Sequence, residues 1–144
     1  MIETYFVPEK LIAQIVEHLQ ACHPEEACGL LAGKDQTFQV WIPIANVLRS
    51  TTRYRMDPEQ QLQALLLFEQ NGQDLLGIVH SHPNGLDSPS QTDLREAYYP
   101  EAVYFIFYRD GETWNYRAYR IQQDSYYPVA IQVTKSTLSG ENIL

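Results

Sequence analysis

Two histidines one residue apart, His80 and His82, close an apolar run, Leu75-Leu76-Gly77-Ile78-Val79. Such a run reads as a strand buried on both faces. Alternate side chains along a strand share a face, so both imidazoles point the same way and can share one ion. Pro83, Asn84, Gly85 and Pro89 then stop the strand and let the chain turn back. Asp93, eleven residues past His82, can return a carboxylate as the third ligand. Two imidazoles and a carboxylate leave a fourth tetrahedral position for water, the layout of a catalytic zinc site.

Simpler readings compete with each piece. Histidines at a strand end also serve to satisfy backbone carbonyls. Ser90-Gln91-Thr92-Asp93 has the form of an N-terminal helix cap. The cap does not exclude the ligand, because a carboxylate in the first turn of a helix is rigidly placed. Amide hydrolysis at such a centre further needs a base that takes a proton from water and delivers it to the leaving amine. Glu26 and its rival Glu25 precede Ala27-Cys28-Gly29, where most positions are small or apolar. Other metal hydrolases fail on their own patterns. No His-Glu-x-x-His is present, Asn84 and Gly85 stand where a His-x-His-x-Asp-His motif needs Asp and His, and the Pro-Cys-x-x-Cys of a zinc deaminase is missing.

The elements that must carry these residues fit into one domain of 144 residues, long enough to bury a core without disulfide support. Residues 1–134 are expected to form it, with a loose tail over 135–144. A net charge of −8 argues against nucleic acid or an anionic membrane as partner. Neither a leader pattern nor an apolar run of about 20 residues is read in the sequence, so a cytoplasmic protein without membrane contact is expected. Cys22 and Cys28 are too few for a disulfide scaffold and are expected to be free thiols.

Pro8-Glu9 starts a helix whose Leu11, Ile12, Ile15, Val16 and Leu19 share a face, and Pro24 ends it near Ala21 or Cys22. Ala27 to Ala32 reads as a buried strand, joined through Gly33-Lys34-Asp35-Gln36 to a second strand. That strand shows Phe38, Val40, Ile42 and Ile44 on one face and Gln39 and Trp41 on the other. Asp57-Pro58 opens another helix with Leu62, Leu65 and Leu66 on its apolar face, ending at Asn71-Gly72. After the histidine strand come a short helix over Gln91 to Tyr98, strands over Ala102–Tyr108 and Thr113–Ile121, and a last strand over Tyr127–Thr134. Eight of the ten tyrosines lie between Tyr98 and Tyr127, a spacing that reads as cross-strand packing.

Taken together, Glu26 within Pro24-Glu25-Glu26-Ala27-Cys28-Gly29, His80-Ser81-His82-Pro83 and Ser90-Gln91-Thr92-Asp93 resemble the motif of the JAMM or MPN-plus zinc metalloproteases, in their short prokaryotic form. The resemblance runs from the first helix to at least Tyr108. It implies an α/β class, single-domain JAB1/MPN fold with a curved mixed sheet flanked by helices, and Zn2+ held by His80, His82 and Asp93. It selects Glu26 over Glu25 as general base and gives the Ser90 hydroxyl a part in stabilising the oxyanion. For short members it implies hydrolysis after the C-terminal Gly-Gly of a ubiquitin-like or sulfur-carrier protein, with an amino acid or short extension released. A non-catalytic MPN scaffold is the alternative, although scaffold versions generally lack metal ligands that are all present here. Oligomeric state is left open.

Overall fold

The computed structural model describes residues 3–135. Residues 136–144, where most of the loose tail is expected, lie outside the described residues. Eight strands form one mixed sheet in the order β7-β6-β5-β4-β2-β3-β1-β8. In chain order the elements are β1 (Thr4–Pro8), α1 (Glu9–Cys22), β2 (Cys28–Lys34), β3 (Thr37–Ile44), α2 (Pro58–Gln70) and β4 (Asp74–His82). Then follow α3 (Gln91–Arg95), β5 (Val103–Asp110), β6 (Thr113–Gln122), β7 (Ser125–Pro128) and β8 (Ala130–Thr134). Among the described residues no helix is long and apolar enough to cross a membrane.

Strand β4 is central, antiparallel to β2 and parallel to β5. Its near-continuous burial from Gly77 to His82 follows from having a strand on each side and a packed layer on each face. On one face, Leu11, Ile15 and Leu19 of α1 pack against Val79, Phe105 and Phe107. On the other, Ala64 and Phe68 of α2 pack with Leu30, Ile78 and Ile106. His80 and His82 share the parity of Ile78 and therefore belong to the α2 face.

Several elements differ from the sequence reading. Strand β1 was not anticipated: it is only five residues long and runs directly into α1. In β3, Phe38 and Trp41 lie in the α1-side core while Ile44 lies on the other side. The cause is a bulge: Ala32 pairs with Val40 but Gly33 pairs with Phe38, so Gln39 is an extra residue and everything before it changes face. Helix α2 buries Ala64 and Phe68, whereas Leu62 and Leu66 of the expected stripe are 57% and 49% exposed. Helix α3 stops at Arg95 rather than Tyr98.

The expected last strand is two strands, split at Val129. Because β7 and β8 sit at opposite ends of the strand order, the sheet must curl until its edges nearly meet, with one residue bridging them. The Val129 N–H bonds to the Ala118 carbonyl of β6, next to the β7 edge (2.9 Å), and the Ala130 N–H bonds to the carbonyl of Glu3, just before β1 and next to the β8 edge (2.8 Å).

Candidate metal centre

Strand pairing brings the predicted residues together. Cys28 of β2 lies opposite His80, and Ile106 and Tyr108 of β5 lie beside His80 and His82. The loop over residues 83–90 then carries the chain into α3, whose cap is a reciprocal box: the Asp93 N–H donates to Ser90 Oγ at 3.0 Å, and the Ser90 N–H donates to Asp93 Oδ2 at 2.9 Å. The cap therefore aims the same carboxylate oxygen that faces the histidines. His80 Nε2 and His82 Nε2 are 3.1 Å apart and lie 3.2 and 3.1 Å from Asp93 Oδ2.

Three ligand atoms at the corners of such a triangle fit a small tetrahedral cation, since bonds of about 2.0–2.1 Å put neighbouring ligands roughly 3.3–3.4 Å apart. No other group of three such side chains converges among the described residues. The donor chemistry agrees. His82 Nδ1 lies 2.7 Å from the Leu86 carbonyl, which makes Nδ1 the protonated nitrogen and leaves the Nε2 lone pair for a metal. His80 is held by packing instead, with the Tyr54 ring stacked on it at 4.5 Å and 22°.

The electrostatics follow burial and proximity. Burial pushes His80 below its ordinary pKa. Burial also acts downward on His82, but the hydrogen bonds to Asp93 and to the Leu86 carbonyl outweigh it and hold that imidazole above the ordinary value. Burial opposes the charge of Asp93, yet the two histidines keep its carboxyl well below the usual carboxylate range.

Glu26 is 4% exposed, within electrostatic reach of His82 and Asp93, and its Oε1 has no hydrogen-bond partner. Burial drives its pKa up to about 8, with His82 pulling it down and Asp93 pushing it up. A buried carboxylate oxygen without a partner is costly unless something polar meets it in use. Glu25, by contrast, pairs with Arg49 at the surface (3.4 Å).

Three residues that hold this arrangement were not anticipated. Ser81, between the two histidines, accepts the Ala27 N–H at its Oγ (2.9 Å), and its own N–H bonds to the Ala27 carbonyl (3.0 Å). Asn46 donates to the Glu26 carbonyl (2.9 Å) and the Arg53 carbonyl (3.0 Å), and its Oδ1 accepts the N–H groups of Leu48 and Arg55. Tyr54 is the third. The polarity of Ser81 inside a buried strand was the one readable signal; Asn46 and Tyr54 lie in a polar stretch without periodicity.

Residues 8–122 match the family model described as prokaryotic homologs of the JAB domain. The CysO-cysteine peptidase of Mycobacterium tuberculosis is 37% identical over 114 residues, covering 77% of this chain and 78% of its own length. A Thermus thermophilus protein named "Probable TtuB-protein conjugate cleaving protease" is 41% identical over 107 residues, 74% of this chain and 71% of its own. The crystal structure of a JAB1/MPN domain protein from Archaeoglobus fulgidus superposes with a TM-score of 0.60 at 18% identity, over 90% of this chain and 98% of that one.

Proposed function

Because the chain belongs to the prokaryotic JAB-domain family and has the JAB1/MPN fold, we propose that it is a zinc-dependent metallopeptidase of the JAMM type. Its substrate is a ubiquitin-like or sulfur-carrier protein, cleaved at the amide bond after the C-terminal Gly-Gly. The observation that carries this reading is the triangle of His80 Nε2, His82 Nε2 and Asp93 Oδ2, with buried Glu26, whose Oε1 has no hydrogen-bond partner, within electrostatic reach of His82 and Asp93. The substrate class is supported by the relatives, one named for CysO-cysteine and another for conjugates of TtuB with protein.

In this reading His80, His82 and Asp93 hold the zinc. When bound, zinc supplies Lewis acidity, bringing the pKa of its water toward about 7 and polarising the scissile carbonyl. Glu26 takes the proton from the attacking water and passes it to the amine that leaves. Its burial suits the interval between the two steps, because an elevated pKa lets a carboxyl hold the proton until the amine takes it. The Ser90 hydroxyl, whose oxygen already accepts from the Asp93 N–H, turns its hydrogen toward the developing oxyanion.

The test is metal analysis joined to turnover on a carrier protein bearing a short extension after Gly-Gly. The wild-type chain should hold about one zinc, and His80→Ala or His82→Ala should lose it, since each removes one of three protein ligands. Glu26→Gln should keep zinc and fold yet hydrolyse nothing, while Glu25→Gln should remain active. A full zinc complement in the double histidine variant would sink the metal assignment, and an inactive Glu25→Gln beside an active Glu26→Gln would sink the choice of base.

A further inference from the structure

The two histidines are secured by different means. His80 is paired on both sides, through Cys28 and Ile106, and its Nδ1 has no hydrogen-bond partner. His82 is the last residue of β4, beyond the pairing with β2, so its ring depends on the Leu86 carbonyl 2.7 Å from Nδ1. Leu86 lies in the loop over residues 83–90, which joins the ligands His82 and Asp93. The bonds of the loop to itself and to the strand end are local: the Gly85 N–H to the His82 carbonyl at 3.0 Å and the Leu86 N–H to Asn84 Oδ1 at 3.2 Å. Gly85 takes a positive φ of 92°, and a Cβ there would stand 3.1 Å from the Arg109 carbonyl, so the loop lies close against the end of β5.

Strand β6 supplies two contacts from outside. The Tyr119 hydroxyl donates to the Asp87 carbonyl at 2.8 Å, and Arg117 Nε donates to the Asp87 carboxylate at 3.1 Å. Tyr119 is 7% exposed and its ring meets Tyr126 edge-on at 5.2 Å, so the hydroxyl is presented from a packed sheet. The Arg117 and Asp87 side chains are 58% and 47% exposed, and an ion pair that open to water holds little.

The geometry points to Tyr119 as a positioning residue for the metal centre, acting through the loop. Its hydroxyl anchors Asp87, the adjoining Leu86 carbonyl is thereby kept on His82 Nδ1, and His82 Nε2 stays turned toward Asp93. The inference rests on the metal reading above. Outer partners of metal-bound histidines typically set affinity by 10–100-fold, and Tyr119 stands one bond further out, so an effect of roughly tenfold is expected.

The measurement is zinc affinity and zinc release by competition with a chromophoric chelator on the full chain, alongside the melting temperature of the metal-free protein. Tyr119→Phe should bind zinc roughly tenfold more weakly and release it faster. Asp87→Asn, which keeps the carbonyl and loses only the ion pair, should stay within about threefold of wild type. Tyr104→Phe is the control: its hydroxyl is likewise bonded to the backbone, here as acceptor of the Tyr99 N–H at 3.1 Å, and its ring lies in the same core, so it should leave zinc affinity unchanged. Unchanged affinity in Tyr119→Phe would overturn the inference, as would an equal loss in Tyr104→Phe. An equal loss in Asp87→Asn would shift the role to the ion pair and overturn the assignment to the hydroxyl. A wild-type chain that takes up no zinc would overturn the metal reading itself, and this inference with it.

Discussion

At Ser90 one oxygen serves the helix while its hydrogen has no acceptor among the described residues. The cap and the oxyanion role can therefore be separated by substitution. If Ser90 only caps, Ser90→Ala should cost about 0.5–2 kcal/mol of stability and leave turnover of the folded enzyme unchanged. With the oxyanion role, turnover at saturating carrier should also fall by roughly 10²–10³, with zinc content preserved. Ser90→Asp keeps a capping acceptor and adds negative charge where the oxyanion forms, so it should be stable, metal-loaded and nearly inactive. Melting temperature, zinc content and single-turnover rate decide between them, and near wild-type turnover in Ser90→Asp would leave the residue as a cap alone.

At the scale of the element, the connection from β3 to α2 does more for the site than its composition suggests. Asn46 satisfies four backbone groups, and its bond to the Glu26 carbonyl, with that of the Glu26 N–H to the Ser50 carbonyl at 2.8 Å, sets the segment from which Glu26 projects. The same connection delivers Tyr54 onto His80. Asn46→Asp keeps both accepting contacts but turns the donor toward Glu26 into a carboxylate facing a carbonyl. We expect it to keep zinc and fold while kcat falls roughly 10- to 100-fold, because a base displaced by a fraction of an ångström loses its alignment. Turnover equal to wild type would mean that Ser81 and the Ser50 carbonyl are enough to hold Glu26.

Across the whole molecule, closure of the sheet joins residues far apart in sequence. Arg120 of β6, only 9% exposed, donates Nε to Glu3 Oε1 at 2.8 Å and also bonds to the Tyr5 hydroxyl and the Glu101 carbonyl. Arg120→Met should cost about 2–3 kcal/mol, the scale of hydrogen bonds to a charged group. It should also change the response to acid. The hydrogen bond from Arg120 is the main cause holding the Glu3 pKa below its ordinary 4.5. Such a carboxylate stabilises the fold above 4.5, and that part is lost as pH falls through the lowered native value. Thermal melts between neutral pH and the acid range should therefore show a gap between wild type and Arg120→Met that narrows below 4.5. A gap independent of pH would mean that Arg120 acts by packing and its neutral partners alone.

Glu26 was set apart from Glu25, and Ser90 given a part beyond its cap, by resemblance to the family motif, since nothing local separates two adjacent glutamates. The convergence of His80, His82 and Asp93 and the cap at Ser90 were legible in the sequence itself, because they depend on local geometry: alternation along a strand, a turn, and a cap at fixed spacing. Helices α1 and α2 were bounded by proline, Asp57 and Asn71-Gly72 for the same reason. What sequence could not decide is whatever depends on distant chain. The facing of Phe38 turned on one extra residue in a strand pair, and the inward face of α2 turned on Ala64 and Phe68 meeting the sheet where the leucines do not. The partner exchange at Val129 needed both edges of the sheet in one place. Asn46, Tyr54, Ser81 and Tyr119 act on the site through contacts with residues that only tertiary packing brings near, and a hydrogen bond across a fold leaves no period in the chain.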